Sequence, residues 1–317
     1  MRENKMTVII PTMNRPVSLK ETLDSYMRGS VVPDQFVVVD QTPDAEKRDS
    51  VRRLVTGYQQ RAEVIYCYQA RPSITMARNA GLRLARHEII VFSDDDVIVQ
   101  QGTIANILRI MDDATFSMIA GLNSHDRHVG RYHVISFFFG RRSFRNRNIG
   151  HVTRSMYGNF PLNKVTEPTD TQWAMGFFFA VRRSLIERWN IRFDESLTGY
   201  AYLEDVDFSY SYYKRSSGEG LKCIFDPRVE VLHCYTGEWR IPPRKNTMMF
   251  VINREYLSYK HHMGWLSRVL TRWGNFGMFL LRLMQRRKPM DVLRAQIRCD
   301  AHRKEIRRGR LMEAWYE

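Results

Sequence analysis

Short runs of β-branched and aromatic residues alternate with stretches of helical spacing through the first two-thirds of this 317-residue chain. That alternation constrains the fold more than any other feature, because strands separated by helices build an α/β sheet joined by crossover connections. Residues 6–10 read as a first buried strand, ended by Pro11-Thr12. A helix is expected over 18–28, with Ser18 as N-cap and Glu21 closing a capping box. Strands follow at 36–39, closing on Asp40, and at 64–68, with helical spacing over 44–59 and 73–85. A strand at 88–92 runs into Ser93-Asp94-Asp95-Asp96, and 104–111 is again helical.

Beyond this the pattern weakens. Residues 127–170 are basic and only faintly periodic, as expected of a long excursion that carries substrate contacts. Order resumes over 176–188 and 193–211, then in a strand at 228–232 that ends on His233. From about Thr236 the chain reads as helical to its end and holds eighteen basic against seven acidic residues, so most of the net charge of +15 lies there. Residues 1–235 are therefore expected to form one domain and 236–317 a basic, mainly helical extension.

Within the extension, 265–284 is apolar but broken by Arg268, Arg272 and Arg282, which argues against a spanning helix. Two dispositions fit: a helix lying on a membrane surface, or one packing its apolar face on the rest of the chain. An excess of positive charge points to anionic partners, here an anionic membrane surface. Nucleic acid is not expected, since zinc-finger spacing and an RNP-like aromatic motif are both missing and the charge lies outside the α/β region. The four cysteines, Cys67, Cys223, Cys234 and Cys299, form neither a metal-site spacing nor a disulfide framework. Residues 1–5 are polar and the apolar stretch after them stops at Pro11, too short for a signal-peptide core. A cytoplasmic protein, peripheral on the inner face of the membrane, is the expectation.

In open α/β sheets, ligands bind beyond the carboxyl ends of the strands. Those ends carry Pro11-Thr12, Asp40, Asp94 to Asp96 and His233. Alternation along a strand lets Asp94 and Asp96 face one ligand while Asp95 points away. Two such carboxylates repel unless a cation compensates, and Mg²⁺ or Mn²⁺ suits carboxylate oxygen and shares its sphere with phosphates.

Several motifs in order carry a resemblance: Val8-Ile9-Ile10-Pro11-Thr12-Met13-Asn14-Arg15, Val37-Val38-Val39-Asp40, Ala77-Arg78-Asn79-Ala80-Gly81-Leu82 and Ser93-Asp94-Asp95-Asp96. Gly176-Phe177-Phe178, Phe193-Asp194-Glu195, Glu204-Asp205-Val206-Asp207 and Val231-Leu232-His233 continue it. Over residues 6–235 the chain resembles the inverting family-two glycosyltransferases of GT-A fold, a Rossmann-like mixed sheet flanked by helices.

The resemblance implies a metal-dependent enzyme moving a sugar from a nucleotide-diphospho-sugar to a hydroxyl of a glycan or polyprenyl-linked acceptor, in cell-envelope or exopolysaccharide synthesis. It implies that Pro11, Thr12 and Asp40 hold the nucleotide base, an aspartate there favouring a UDP-sugar. Arg78, and more loosely Arg71, would bind the donor. Asp94 and Asp95 would sit at the nucleotide sugar, and Asp96 and His233 would ligate Mn²⁺ or Mg²⁺. Asp205 is the implied catalytic base, with Glu204 and Trp173 as acceptor contacts. Glu238, Trp239 and Arg240 are candidates for a loop closing over the donor.

Rival readings are weaker. A sugar-phosphate nucleotidyltransferase would open with a glycine-rich loop, and residues 11–16 contain no glycine. A glycoside hydrolase would pair carboxylates without base-binding strand ends.

Overall fold

The structure is a computed structural model that describes residues 4–125, 133–234 and 241–317. Its first half follows the alternation: β1 (Met6–Thr12), α1 (Pro16–Met27), β2 (Gln35–Asp40), α2 (Ala45–Thr56), β3 (Glu63–Tyr68), α3 (Ile74–Leu84) and β4 (Ile89–Ser93). A short β5 (Val97–Val99), α4 (Thr103–Met111) and β6 (Phe116–Asn123) come next. The excursion holds α5 (His133–Phe138) and three two-residue strands, β7 (His151–Val152), β8 (Gly158–Asn159) and β9 (Thr169–Asp170). The main sheet is completed by β10 (Phe178–Arg182), α6 (Arg183–Arg188), α7 (Glu204–Gly218) and β11 (Lys222–His233).

The strands lie in the order β3-β2-β1-β4-β10-β6-β11-β5, with β9 added against β11. β1 to β4 are parallel, whereas β10 runs antiparallel between β4 and β6, so the sheet is mixed. β1 is buried along its whole length because helices cover both sheet faces. Its residues alternate accordingly. Met6, Val8 and Ile10 pack with Leu19 and Leu23 of α1 and Val51 of α2. Ile9 joins Ala77 of α3 and Phe208 and Tyr212 of α7 on the opposite face.

Four features depart from the sequence expectations. α1 starts at Pro16 rather than at a Ser18 cap, and its N-cap is Arg15 without a side-chain capping bond. The proline's fixed φ and missing N–H suit the first helical position, so Ser18 lies inside the first turn and is buried, and the capping box does not form. The strand β6 has no clear sequence signal, since Ile119 is its only β-branched residue and Gly121 interrupts it. β11 begins six residues before 228, with a register shift between Phe225 and Glu230 that hides its continuity. The excursion is partly ordered rather than structureless.

The C-terminal helices are α8 (Pro243–Lys260), α9 (Gly264–Met284), α10 (Met290–Ala301) and α11 (Arg303–Arg307), followed by a 3₁₀ turn at Glu313–Tyr316. They share one apolar core with the preceding segment: Met248, Ile252 and Tyr316 pack with Leu197, Leu203, Val206 and Trp173. Among the described residues no helix is long and apolar enough to cross a membrane. α9 divides its apolar residues: Met278 joins the core shared with Leu197 and Trp173, Phe279 packs against it and Leu281 is buried, while Trp265, Val269, Trp273 and Phe276 are exposed. Ser267, Thr271, Gly274 and Asn275 are its buried residues, with Gly277, Met278 and Leu281.

Gly81 places α3 directly on β1, where a Cβ would overlap the Cγ2 of fully buried Ile9. Gly81→Val should therefore lower unfolding stability by about 1–3 kcal/mol through overpacking, read as a reduced urea midpoint at constant slope.

Candidate active site

β1, β4 and β11 end at one edge of the sheet, and the segments leaving them line a cavity of about 980 Å³. The chain leaves β4 in a turn rather than as a continued strand, yet Asp94 and Asp96 still come together beside His233 while Asp95 bonds Thr12 and Arg15. Asp94 accepts from Arg78 Nη2 at 3.1 Å. Asp95 accepts from the Thr12 hydroxyl at 2.7 Å and from Arg15 Nη1 at 2.9 Å. Asp96 lies 3.0 Å from His233 Nε2 and accepts from Arg15 at 3.3 Å.

His233 stacks on Phe177, with centroids 5.1 Å apart, and its backbone N–H donates to Asn123 Oδ1. Donor atoms of Asp94, Asp96 and His233 all fall within 4.8 Å of one another. Two carboxylates and an imidazole at that spacing fit a divalent cation of the Mn²⁺ or Mg²⁺ type.

The charge balance explains the geometry. Burial raises the Asp94 and Asp95 carboxyls above their ordinary range, Asp95 to about 7, against the opposing pull of Arg78 and Arg15 respectively. Sequence reasoning assigns no role to Arg15, which holds two of the three aspartates. The signal available for it was electrostatic: three adjacent carboxylates need cations nearby, and Arg15 follows the first strand end.

Arg78 sits at the centre of the second half of the site and is almost fully buried. Its guanidinium donates to Glu204 Oε1 at 2.7 Å and to the Gly176 carbonyl at 2.8 Å, besides Asp94. The Gly176 N–H in turn donates to Asp205 Oδ2 at 2.8 Å, while Asp205 Oδ1 accepts from Val206 N–H at 2.7 Å. A side chain at Gly176 would press on both Arg78 and Asp205. Glu204 and Asp205 open α7 straight after Leu203, held in the left-handed region at φ 79°. Backbone held so far from its preferred region is kept only where surrounding packing enforces it. Asp207 turns away to α8, accepting from Lys260 Nζ at 2.6 Å and facing His261 Nε2 at 2.9 Å.

The other sequence candidates divide. Pro11, Thr12, Arg71 and Trp173 line the cavity with the acidic group. Trp173 is buried, and its indole N–H donates to the Asn159 carbonyl at 3.0 Å. Asp40 reaches the same sheet edge but does not line the cavity. Its carboxylate accepts from Tyr66 OH at 2.8 Å and from the Thr42 N–H at 2.9 Å, and Gln41 lines the cavity beside it. Glu238, Trp239 and Arg240 lie outside the described residues.

A mixed α/β sheet with ligand-ready groups at its carboxyl edge is the GT-A glycosyltransferase fold. The family model "Glycosyl transferase family 2" matches residues 7–189, more than half of the chain, and the chain belongs to that family. Validoxylamine A glucosyltransferase of Streptomyces hygroscopicus subsp. limoneus is 31% identical over 105 residues, 32% of this chain and 23% of that protein. The chain thus spans about a quarter of the length of that relative.

Two solved structures share the fold. One is a mannosyltransferase, PcManGT of Pyrobaculum calidifontis, with GDP-Man and Mn²⁺. It has a TM-score of 0.56 and 18% identity over 99% of this chain and 85% of that one. S. aureus TarS 1–349 with UDP has a TM-score of 0.53 and 16% identity, covering 98% and 89%.

Burial, then the neighbouring Asp205, hold the Glu204 carboxyl well above its ordinary value of 4.5, because the one Arg78 charge faces three carboxylates. The folded protein keeps a proton there that the unfolded chain releases. That contribution to stability is complete below pH 4.5 and is lost as pH rises through the raised value. Urea unfolding in EDTA from pH 5 to pH 9 should show stability falling with pH, and Glu204→Gln should flatten the fall.

Proposed function

We propose that this chain transfers a sugar, with inversion, from a nucleotide-diphospho-sugar to an acceptor hydroxyl at the cavity formed around Asp94 to Asp96 and Asp205. The observation that carries the reading is the joining of two groups through one side chain: Arg78 ties the acidic turn after β4 to the Glu204-Asp205 pair. A donor diphosphate and an acceptor hydroxyl need such separate but adjacent sites.

The residues divide the work. Pro11, Thr12, Gln41 and Arg71 form the end of the cavity suited to the nucleotide. Asp40 acts behind Gln41 by fixing the loop through Thr42, which leaves UDP favoured but not dictated by a direct carboxylate contact. Asp96 and His233, with Asp94 beside them, would hold Mn²⁺ or Mg²⁺. When bound, that ion supplies electrostatic stabilisation of the leaving diphosphate. Arg15 keeps Asp95 and Asp96 oriented, and Arg78 orients Asp94 and Glu204.

Asp205 accepts the proton of the acceptor hydroxyl as its oxygen attacks the anomeric carbon from the face opposite the departing diphosphate. Its backbone hydrogen bonds hold the carboxylate in place, and burial raises its proton affinity above that of an exposed aspartate. Glu204 and Trp173 lie on the acceptor side.

Residues 1–235 constitute the catalytic unit. The 236–317 extension supplies Lys245, Met249 and Phe250 to the far wall, where the acceptor enters. A glycan or polyprenyl-linked hydroxyl of the cell envelope or an exopolysaccharide is the acceptor class that fits an apolar, tyrosine-rich wall.

Calorimetry with UDP and Mn²⁺, joined to hydrolysis of a panel of UDP- and GDP-sugars, tests the reading. Asp96→Ala should abolish both metal-dependent nucleotide binding and turnover. Asp205→Asn should retain nucleotide binding and lose about 10²–10⁴-fold in kcat. A protein that binds neither nucleotide nor Mn²⁺ would sink the reading.

A further inference from the structure

α9 carries much of its apolar surface outward. On an amphipathic surface helix the large apolar residues ordinarily face the core and the polar ones face water. Here Trp265, Leu266, Val269, Trp273, Phe276 and Leu283 are exposed, Trp265 by 69% and Leu283 by 55%. The first three turns face inward with small and polar residues, Ser267, Thr271, Gly274 and Asn275, and only the last turns bury larger apolar ones, Met278 and Leu281. Gly277 lies against Phe139, Gly274 against Tyr157, and Asn275 bonds Arg254 and Gln296.

The exposed face continues onto α5. Trp273 donates its indole N–H to the Phe138 carbonyl at 2.9 Å, and the Phe138 ring, 68% exposed, lies 5.5 Å from it. Val134 on the same short helix is 80% exposed. A contiguous apolar face of this kind marks an interaction surface rather than ordinary scatter.

Charge identifies the occupant. α9 contains no aspartate or glutamate, and neither do residues 133–165. Exposed Arg286, Arg287 and Lys288 follow α9 directly, and exposed Arg145 and Arg147 follow α5. Tryptophan and phenylalanine flanked by arginine and lysine form the pairing that a headgroup layer accepts: rings at the acyl boundary, cations on phosphates.

We propose that the outer face of α9, with the exposed end of α5, inserts into the headgroup layer of an anionic lipid bilayer. On its inner side a Cβ at Gly274 would meet the ring of Tyr157, which lines the cavity, so that wall stands about one side chain behind the bilayer. The surface goes beyond the transfer reaction and does not depend on the donor chemistry.

Flotation of the full chain with vesicles tests it. Wild type should float with mixed phosphatidylglycerol and phosphatidylcholine vesicles, with a blue shift of tryptophan emission, and much less with phosphatidylcholine alone. The double variant Trp265→Glu/Val269→Glu should lose at least tenfold in bound fraction. The triple variant Arg286→Ser/Arg287→Ser/Lys288→Ser should lose binding to the anionic vesicles, and it guards against a folding defect in the first. UDP binding in the same samples separates failure of this surface from failure of the catalytic reading.

Three results would overturn the proposal. One is wild type that stays unbound, including one retained on duplex DNA at the same salt. Another is a double variant that floats like wild type. The third is a wild-type dimer that the double variant converts to monomer, since a second copy would then cover the face.

Discussion

A single buried guanidinium holds the working edge of this protein together. Arg78 leaves α3 and reaches Asp94 after β4, the Gly176 carbonyl before β10, and Glu204 at the start of α7. Removing one member of a buried, hydrogen-bonded charge group costs about 3–5 kcal/mol, because the partners are left without compensation. Here the uncompensated partners would be the Asp94 and Glu204 carboxylates that line the cavity. Burial keeps proton affinity high at Glu204 and Asp205, with the neighbouring Asp205 adding to it at Glu204, while Arg15 restrains the turn after β4.

The sheet was legible because its cause is local. Strands buried on both faces are written as unbroken apolar runs: 6–10, 36–39 and 64–68 lie inside observed strands, and 88–92 overlaps β4 in all but its first residue. β6 was not legible, since its place depends on neighbours β10 and β11 rather than on its own composition. The acidic turn, His233 and the Glu204-Asp205 pair could be picked out as residues and as strand or helix ends. The partner of each could not. That Arg15 would turn to Asp95, or that Asp40 would face Tyr66, follows from how the β1, β2 and β4 ends converge.

The same distinction holds in the C-terminal helices. Periodicity reveals that α9 has an apolar stripe but not which way the stripe faces, because that depends on what offers a fitting surface. Phe139, Tyr157 and Arg254 press closely on α9 at Gly274 and Gly277, where a side chain would meet them. That close approach helps set which residues of the helix turn outward. The extension is also less separate than its charge suggests, since its core is continuous with residues around Leu203 and Trp173.

The hydrogen bonds of the cavity join residues far apart along the chain: Thr12 to Asp95 spans 83 positions and Arg78 to Glu204 spans 126. Each of these bonds needs its own long loop closed, at a corresponding entropic cost. The cavity is complete only when these distant segments have met. A ligand of the cavity would then act on the assembled molecule and favour completion of the entire sheet.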